Sequence, residues 1–277
     1  MDISYTERIV AFIDVLGFKD IVAESEKNIE KLQLIFETLT SLKEWEVPDK
    51  WGIALIEIEE SAQKKGVDNF QIENDVQCTC FSDSIVISVS LCNQAVNEVL
   101  ATLITNLALI GAKLITEGIL IRGGITVGNL IHTKDGTIIG KAFIDAYQLE
   151  NSAAIYPRII LSNKMIEQLN YPIYHKNESY PYHQYLSRYK DGCVGFSQLR
   201  YFQVLQSWEL FSNEQLKTEL GKARKTIING LNRSVEHPQI YKKYRWLRDE
   251  YEKLVILQDG LKENIKPINE NTIHYPG

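Results

Sequence analysis

Apolar residues run almost without interruption from Thr6 to Val15 and again from Phe81 to Ser90, the pattern of buried strands, and each run carries one aspartate, Asp14 or Asp83. Elsewhere the spacing changes to the three-and-four repeat of helices. Lys19 to about Trp45 repeats at Ile21, Leu32, Ile35, Phe36 and Leu39 until Pro48 and Asp49 end it. Residues 51–70 fit either a short helix or an extended excursion. Gln71 to Cys80 reads as another strand, and about Gln94 to Thr116 as a long helix, apolar at Val96, Leu100, Leu103, Leu107 and Ile110. Two strands then surround Gly123, Gly124 and Gly128, with a hairpin turn at Lys134, Asp135 and Gly136. A helix over Lys141 to Ala154 and a short strand over Pro157 to Ser162 come next.

The order β, α, β, β, α, β, β, α, β predicts an α+β fold, an antiparallel-containing sheet covered by helices on one face. It does not fit a doubly wound parallel sheet. After Ser162 the texture changes, so 1–165 reads as a core and 166–277 as a C-terminal extension packed on it. In the extension, Tyr171 to Tyr189 reads as a long loop, CVGF and YFQVL as strands, about Gln215 to Ser234 and Pro238 to Asn264 as helices, and 265–277 as a loose tail. The last helix carries Tyr241, Lys242, Lys243, Tyr244, Arg245, Trp246 and Arg248, its cations expected to face solvent.

Of the 277 residues, 44% are apolar and 24% charged, an ordinary globular composition. The net charge of −6 argues against broad nucleic-acid binding. No run reads as a membrane span and the start MDISYTERIV lacks a signal-peptide core, so the expectation is the cytoplasm. Cys78 and Cys80 alternate along a strand with no second pair nearby, the mark of structural thiols more than of a zinc site.

A carboxylate inside a buried strand costs several kcal/mol unless something compensates it. Asp14 lies near the end of its strand and Asp83 near the start of its own, so antiparallel neighbours would bring both to one sheet edge. Two hard carboxylates converging there suit Mg²⁺ or Mn²⁺ with a phosphate substrate. The plainer reading is a helix cap at Asp14 and a turn aspartate at Asp83. The residues after Asp14 bear on the choice: Val15, Leu16, Gly17 and Phe18 lead through one glycine into a helix, whose unpaired amides, Leu16 to Lys19, would seat phosphates. The Lys19 side chain either adds a charge there or is a solvated surface lysine, the plainer reading.

Four pieces in order, FIDVLGF with Asp14, FSDSIVI with Asp83, LIRGGITVG with Arg122, and IIGKAFIDAYQLENSA before PRIILS, resemble the class III nucleotidyl cyclases over about residues 8–165. The resemblance implies a ferredoxin-like βαββαβ core acting as a homodimer with active sites at the interface, and two divalent ions held by Asp14, Asp83 and the Val15 carbonyl. It also shows departures. Thr79 and Thr137 stand where purine-specific members carry a base-reading lysine and aspartate, and Ile144 and Gln148 where the family has an asparagine and a transition-state arginine. Arg122 is the first candidate to replace that arginine, although it would equally brace its strand through an ion pair. Asp145 and Glu150 read as surface or interface carboxylates.

As a whole the pattern resembles the pyrimidine nucleotide cyclases of bacterial Pycsar anti-phage systems. That implies conversion of UTP or CTP to a cyclic monophosphate that activates a separate effector; the acidic charge and the lack of a span leave no nucleic-acid or membrane partner expected. A purine cyclase and an inactive nucleotide-binding sensor are the alternatives.

Overall fold

In the computed structural model, which describes residues 4–44, 75–92, 95–169, 185–207, 212–257 and 268, the first apolar run is strand β1 (Thr6–Leu16). Its alternate side chains point to opposite faces of the sheet, and both faces are covered. Ile9, Ala11, Ile13 and Val15 enter the larger core, whereas Val10 and Phe12 enter a smaller one on the other side. Helix α1 (Phe18–Ser25) starts after Gly17, and α2 (Ile29–Glu44) comes after α1. The expected continuous helix is thus two helices. Asn28 makes the break, its side-chain oxygen accepting the Lys31 N–H and so starting α2 afresh.

Strands β2 (Val76–Phe81) and β3 (Ser84–Ser90) form a hairpin whose two-residue loop is Ser82 and Asp83, with Ser82 at φ 56°. Asp83 is therefore in the turn, just before its strand. Helix α3 (Val96–Thr116) leads to β4 (Leu120–His132), then β5 (Ile138–Ile139), α4 (Lys141–Ala153), β6 (Arg158–Leu161) and α5 (Asn163–Gln168). Residues of the expected extension continue the same sheet through β7 (Ser187–Arg188) and β8 (Val194–Ser197). Three helices complete the order, α6 (Arg200–Ser207), α7 (Asn213–Arg233) and α8 (Pro238–Leu257). The uncertain stretch 51–70, most of the loop 171–189, and the tail apart from Ile268 lie outside the described residues.

The sheet runs β2-β3-β1-β4-β6-β8-β7, with β5 paired to β4. Every described strand pair is antiparallel except β4 with β6. This is the expected α+β arrangement, with one difference: helices cover both faces. α3, α7 and α8 pack into the larger core, while α4 sets Ala142 and Ala146 against Val10, Phe12, Val86 and Leu130 on the opposite face. Gly124 permits this, because a Cβ there would meet the Ala146 carbonyl at 2.9 Å and the Glu150 amide at 3.1 Å.

A second difference is YFQVL, which is helical within α6. Its bulky residues Tyr201, Phe202 and Val204 are buried on one side while Gln203 is not, which a helix achieves and an alternating strand does not. By length and composition α3 could cross a membrane, contrary to the sequence reading. Here its apolar side chains from Val99 to Ile115 are core.

Candidate active site

The antiparallel pairing of β1 and β3 sets Asp14 opposite Ser84, next to Asp83, and the Val15 N–H donates to the Asp83 carbonyl at 2.9 Å. N–H and C=O of one strand residue point to the same side, so the Val15 carbonyl also emerges toward Asp83. On the other flank Asp14 faces Arg122 of β4. Asp14, Val15, Asp83 and Arg122 thus share one end of the sheet, on β1, the β2–β3 turn and β4.

Arg122 is the hub of this cluster. Its Nε lies 3.0 Å from Asp14 Oδ2 and 2.7 Å from Glu150 Oε1, and its Nη1 donates to the Ala154 carbonyl at 3.5 Å. The contact with Glu150 is an ion pair without hydrogen-bond geometry, since Oε1 has no hydrogen-bond partner. Glu150 is only 3% exposed. Burial raises its pKa to about 7, with Asp14 and Asp83 pushing the same way and Arg122 and Lys243 opposing. Lys243 of α8 is half-buried, and its pKa is lowered by burial and then by Arg122, with Asp14 and Glu150 pulling it back up.

Glu150 and Lys243 are members of the cluster that the sequence reading did not include: it left Glu150 as a surface or interface carboxylate and expected Lys243 to face solvent. A signal for Glu150 existed: Ala142, Ala146 and Glu150 form one i, i+4, i+8 stripe, the buried face of α4. Asp145 is indeed outside, paired with Lys141 at 2.6 Å.

At the strand-to-helix junction, Gly17 adopts a left-handed φ of 72°, and its carbonyl accepts from the amides of Asp20 and Ile21. Phe18 and Lys19 begin the helix, where amides have no intrahelical partner. Lys19 is exposed. Leu16 is different, being still within β1 opposite Leu120, and the side chains of Leu16 and Phe18 pack on the core.

Thr79 and Thr137 belong to a second group. Phe12, Val86 and Thr79 form the row next to that of Asp14, Ser84 and Phe81 on the same face, which separates Thr79 from Asp14 by roughly 12 Å. Thr79 Oγ1 is 2.8 Å from His132 Nε2, and His132 Nδ1 is 2.8 Å from Ser88 Oγ, which accepts from Arg8 Nε at 2.9 Å. Arg8 pairs in turn with Asp75 at 2.6 Å. Ser88 is fully buried, so its own proton goes to His132 Nδ1. His132 then carries its proton on Nε2 and donates to Thr79, which leaves the Thr79 proton for another acceptor. Burial, reinforced by Arg8 and offset in part by Asp75, lowers the His132 pKa to about 4 and keeps the ring neutral. Gly136 sits against Thr79, and Thr137 is exposed in the same hairpin, its N–H donating to Thr133 Oγ1 at 3.1 Å.

The donor set at the first group is two carboxylates and one backbone carbonyl, hard oxygens that fit Mg²⁺ or Mn²⁺ ions retaining several waters. Among the described residues no group of three or more His, Cys, Asp or Glu side chains is arranged to hold a metal, and Cys78 and Cys80 are half-buried and not joined in a disulfide.

No family model and no curated protein matches this chain. Among solved structures, the monomeric guanylyl cyclase domain of a rhodopsin fusion protein from the aquatic fungus Blastocladiella emersonii is similar over 69% of this chain and 94% of its own, at 12% identity and a TM-score of 0.35. The catalytic core of a rhodopsin-guanylyl cyclase with converted specificity, in complex with ATPαS, is similar over 69% and 93%, at 14% identity and 0.35. A class III adenylyl cyclase-like ATP-binding protein from Pseudomonas aeruginosa is similar over 82% of this chain and 45% of its own, at 10% identity and 0.38.

Proposed function

We propose that this chain cyclises a pyrimidine nucleoside triphosphate, UTP or CTP, to its 3′,5′-cyclic monophosphate with release of pyrophosphate. The observation that carries the reading is the meeting of Asp14 and Asp83 at one sheet edge, beside a glycine-led helix start and with Arg122 against Asp14. Asp14, Asp83 and the Val15 carbonyl would hold two Mg²⁺ or Mn²⁺ ions, which supply charge neutralisation and a more acidic ribose 3′-hydroxyl. The Phe18 and Lys19 amides and the Lys19 ammonium bind phosphate oxygens, and Gly17 lets the backbone turn toward them. The 3′-oxygen attacks the α-phosphorus, the bond to the β-phosphate oxygen breaks, and the hydroxyl proton passes to solvent. Arg122, held between Asp14 and Glu150, neutralises charge that develops on the phosphates.

Thr79 and Thr137 offer no charge to a purine edge. Having accepted from His132 Nε2, Thr79 keeps one proton and one lone pair, so it can donate to the O4 of uracil or accept from the amino group of cytosine, and either pyrimidine triphosphate suits it. A homodimer places Thr79 and Thr137 of one copy over the carboxylates of the other. The exposed Phe81, Ile139, Ile144 and Tyr147 around the site suit such an interface. A messenger role in anti-phage defence, acting through a separate effector, rests on the sequence resemblance alone.

Incubation of the purified protein with Mn²⁺ and each of the four nucleoside triphosphates, with product identified by mass spectrometry, is expected to yield cyclic UMP or cyclic CMP and no cyclic purine nucleotide. Exclusive cyclisation of ATP or GTP would remove the pyrimidine reading. One observation favours a second reading, a nucleotide-binding sensor: α4 presents a half-exposed Ile144 and an exposed Gln148 where a cyclase would use an asparagine and an arginine. Tight binding of a triphosphate without any product would establish it.

A further inference from the structure

The cation that α4 does not supply has a substitute in the C-terminal helix. α8 is fixed beside the carboxylate cluster by an aromatic clamp. Trp246 stacks on Tyr156 at 5.2 Å between ring centroids, with planes 13° apart, and touches Tyr189 at 5.5 Å. The buried Arg158 guanidinium lies 4.6 Å from the Tyr189 ring, 5.3 Å from that of Tyr156 and 5.7 Å from that of Trp246, and it is held by Asp191. This clamp adjoins Arg122 along two routes. β6 pairs with β4 so that Ile159 faces Gly123, which puts Arg158 beside the Arg122 row. Tyr156 also lies two residues beyond Ala154, whose carbonyl accepts from Arg122.

Lys243 is one helical turn before Trp246 and one before Leu247, so all three share the face of α8 that is turned toward this junction. Among the described residues no carboxylate lies within ion-pairing distance of Lys243, although Asp14 and Glu150 are near enough to act on its charge. A half-buried ammonium beside a second cation and without a direct counter-ion is an arrangement that a polyanion relieves. Lys242, its neighbour in sequence, is exposed.

We infer that Lys243 is a phosphate-binding residue of the active site, delivered by the C-terminal helix to do with Arg122 what Gln148 cannot. The inference rests on the nucleotide-binding reading above, and it makes the C-terminal extension part of the reaction centre. Binding strengthens when Lys243 gives charge-assisted hydrogen bonds to the β- or γ-phosphate oxygens and weakens when only an apolar chain of similar length stands there.

The test uses the full chain and the variants Lys243→Met, Lys243→Gln, Lys243→Arg and Lys242→Met, each checked for an unchanged melting temperature. Two quantities are read: binding of Mg²⁺-tripolyphosphate by calorimetry, and kcat and KM with the triphosphate that the wild type uses. Lys243→Met and Lys243→Gln should weaken tripolyphosphate binding about tenfold or lower kcat about a hundredfold, with Lys243→Arg between them and wild type and Lys242→Met unchanged. If Lys243→Met folds and matches wild type in both quantities, the inference is overturned; if Met unfolds the chain, the Gln variant decides. A wild type that binds tripolyphosphate but forms no cyclic product overturns the cyclase reading and leaves the Lys243 inference to be decided by the binding ratio. A wild type that does neither overturns both.

Discussion

A carboxyl group as enclosed as Glu150 stays ionised only if nearby cations outweigh both its lost hydration and the two aspartates beside it, and Arg122 with Lys243 does not achieve this. Its pKa rises from 4.5 to about 7, so between those values the folded protein binds a proton that the unfolded chain does not. Stability is therefore greatest below pH 4.5 as far as this group is concerned and declines as pH rises to about 7, by at most about 3 kcal/mol. Urea titrations of the metal-free protein across pH 5 to 8 should show the decline, and Glu150→Gln should flatten it and be the more stable protein above pH 7; parallel profiles for the two would contradict the burial argument. For catalysis, Asp14→Asn and Asp83→Asn should each reduce turnover about a thousandfold or more with little change in melting temperature, because both sit at an accessible sheet edge and not in a core. Asp14 was legible in the sequence because a charge inside an apolar strand needs a reason; the same pattern drew attention to Asp83 but put it inside a strand, whereas it lies in the turn before one. Glu150 was harder to read, since in a helix one charge among Asp145, Gln148 and Asn151 looks solvated unless the small-residue stripe beneath it is traced.

At the scale of elements, the close seating of α4 on β4 is what brings Glu150 to Arg122. A valine at position 124 would drive its Cβ into the Ala146 carbonyl and the Leu149 side chain, at 2.9 and 3.0 Å, contacts that only movement of the helix relieves. Gly124→Val should destabilise the fold by about 1–3 kcal/mol and, by separating Glu150 from Arg122, cut turnover as well. Thermal melts and initial rates check both; a stable, fully active variant would show that α4 need not sit so close. Strand and helix identities were readable wherever the apolar period was long and regular, as in β1, β3 and α3. They failed where local chemistry competed with the period. Asn28 interrupts an apolar repeat by capping, which a count of hydrophobic positions does not register. The five residues of YFQVL are too few for periodicity to choose between helix and strand, and tertiary burial decided it. The placement of α4 on the opposite face was likewise invisible, because alternating strands buried on both sides do not say which helix covers which face.

For the whole molecule, the sheet that carries the carboxylates also carries Thr79 and the β4–β5 hairpin on the same face, and exposed apolar residues border both groups. Phe81, Ile139, Ile144 and Tyr147 are 46%, 51%, 50% and 46% exposed, more apolar surface than one small site needs. A second copy related by a two-fold axis would cover that surface with an identical one and set each carboxylate group against its partner's threonine hairpin. This arrangement differs from a site complete within one chain in a way that mixing variants reveals. Asp14→Asn removes the metal side of a site, and Thr137→Trp blocks the base side from an exposed position that tolerates bulk. Alone, each homodimer has two spoiled sites. Mixed and allowed to exchange, half of the dimers are hybrids in which one site holds both defects and the other holds neither, so about a quarter of wild-type activity should return. A site contained in one chain gives no recovery at any ratio, because every chain then carries a lesion of its own. Turnover measured across mixing ratios, with sedimentation to confirm exchange, separates the two architectures.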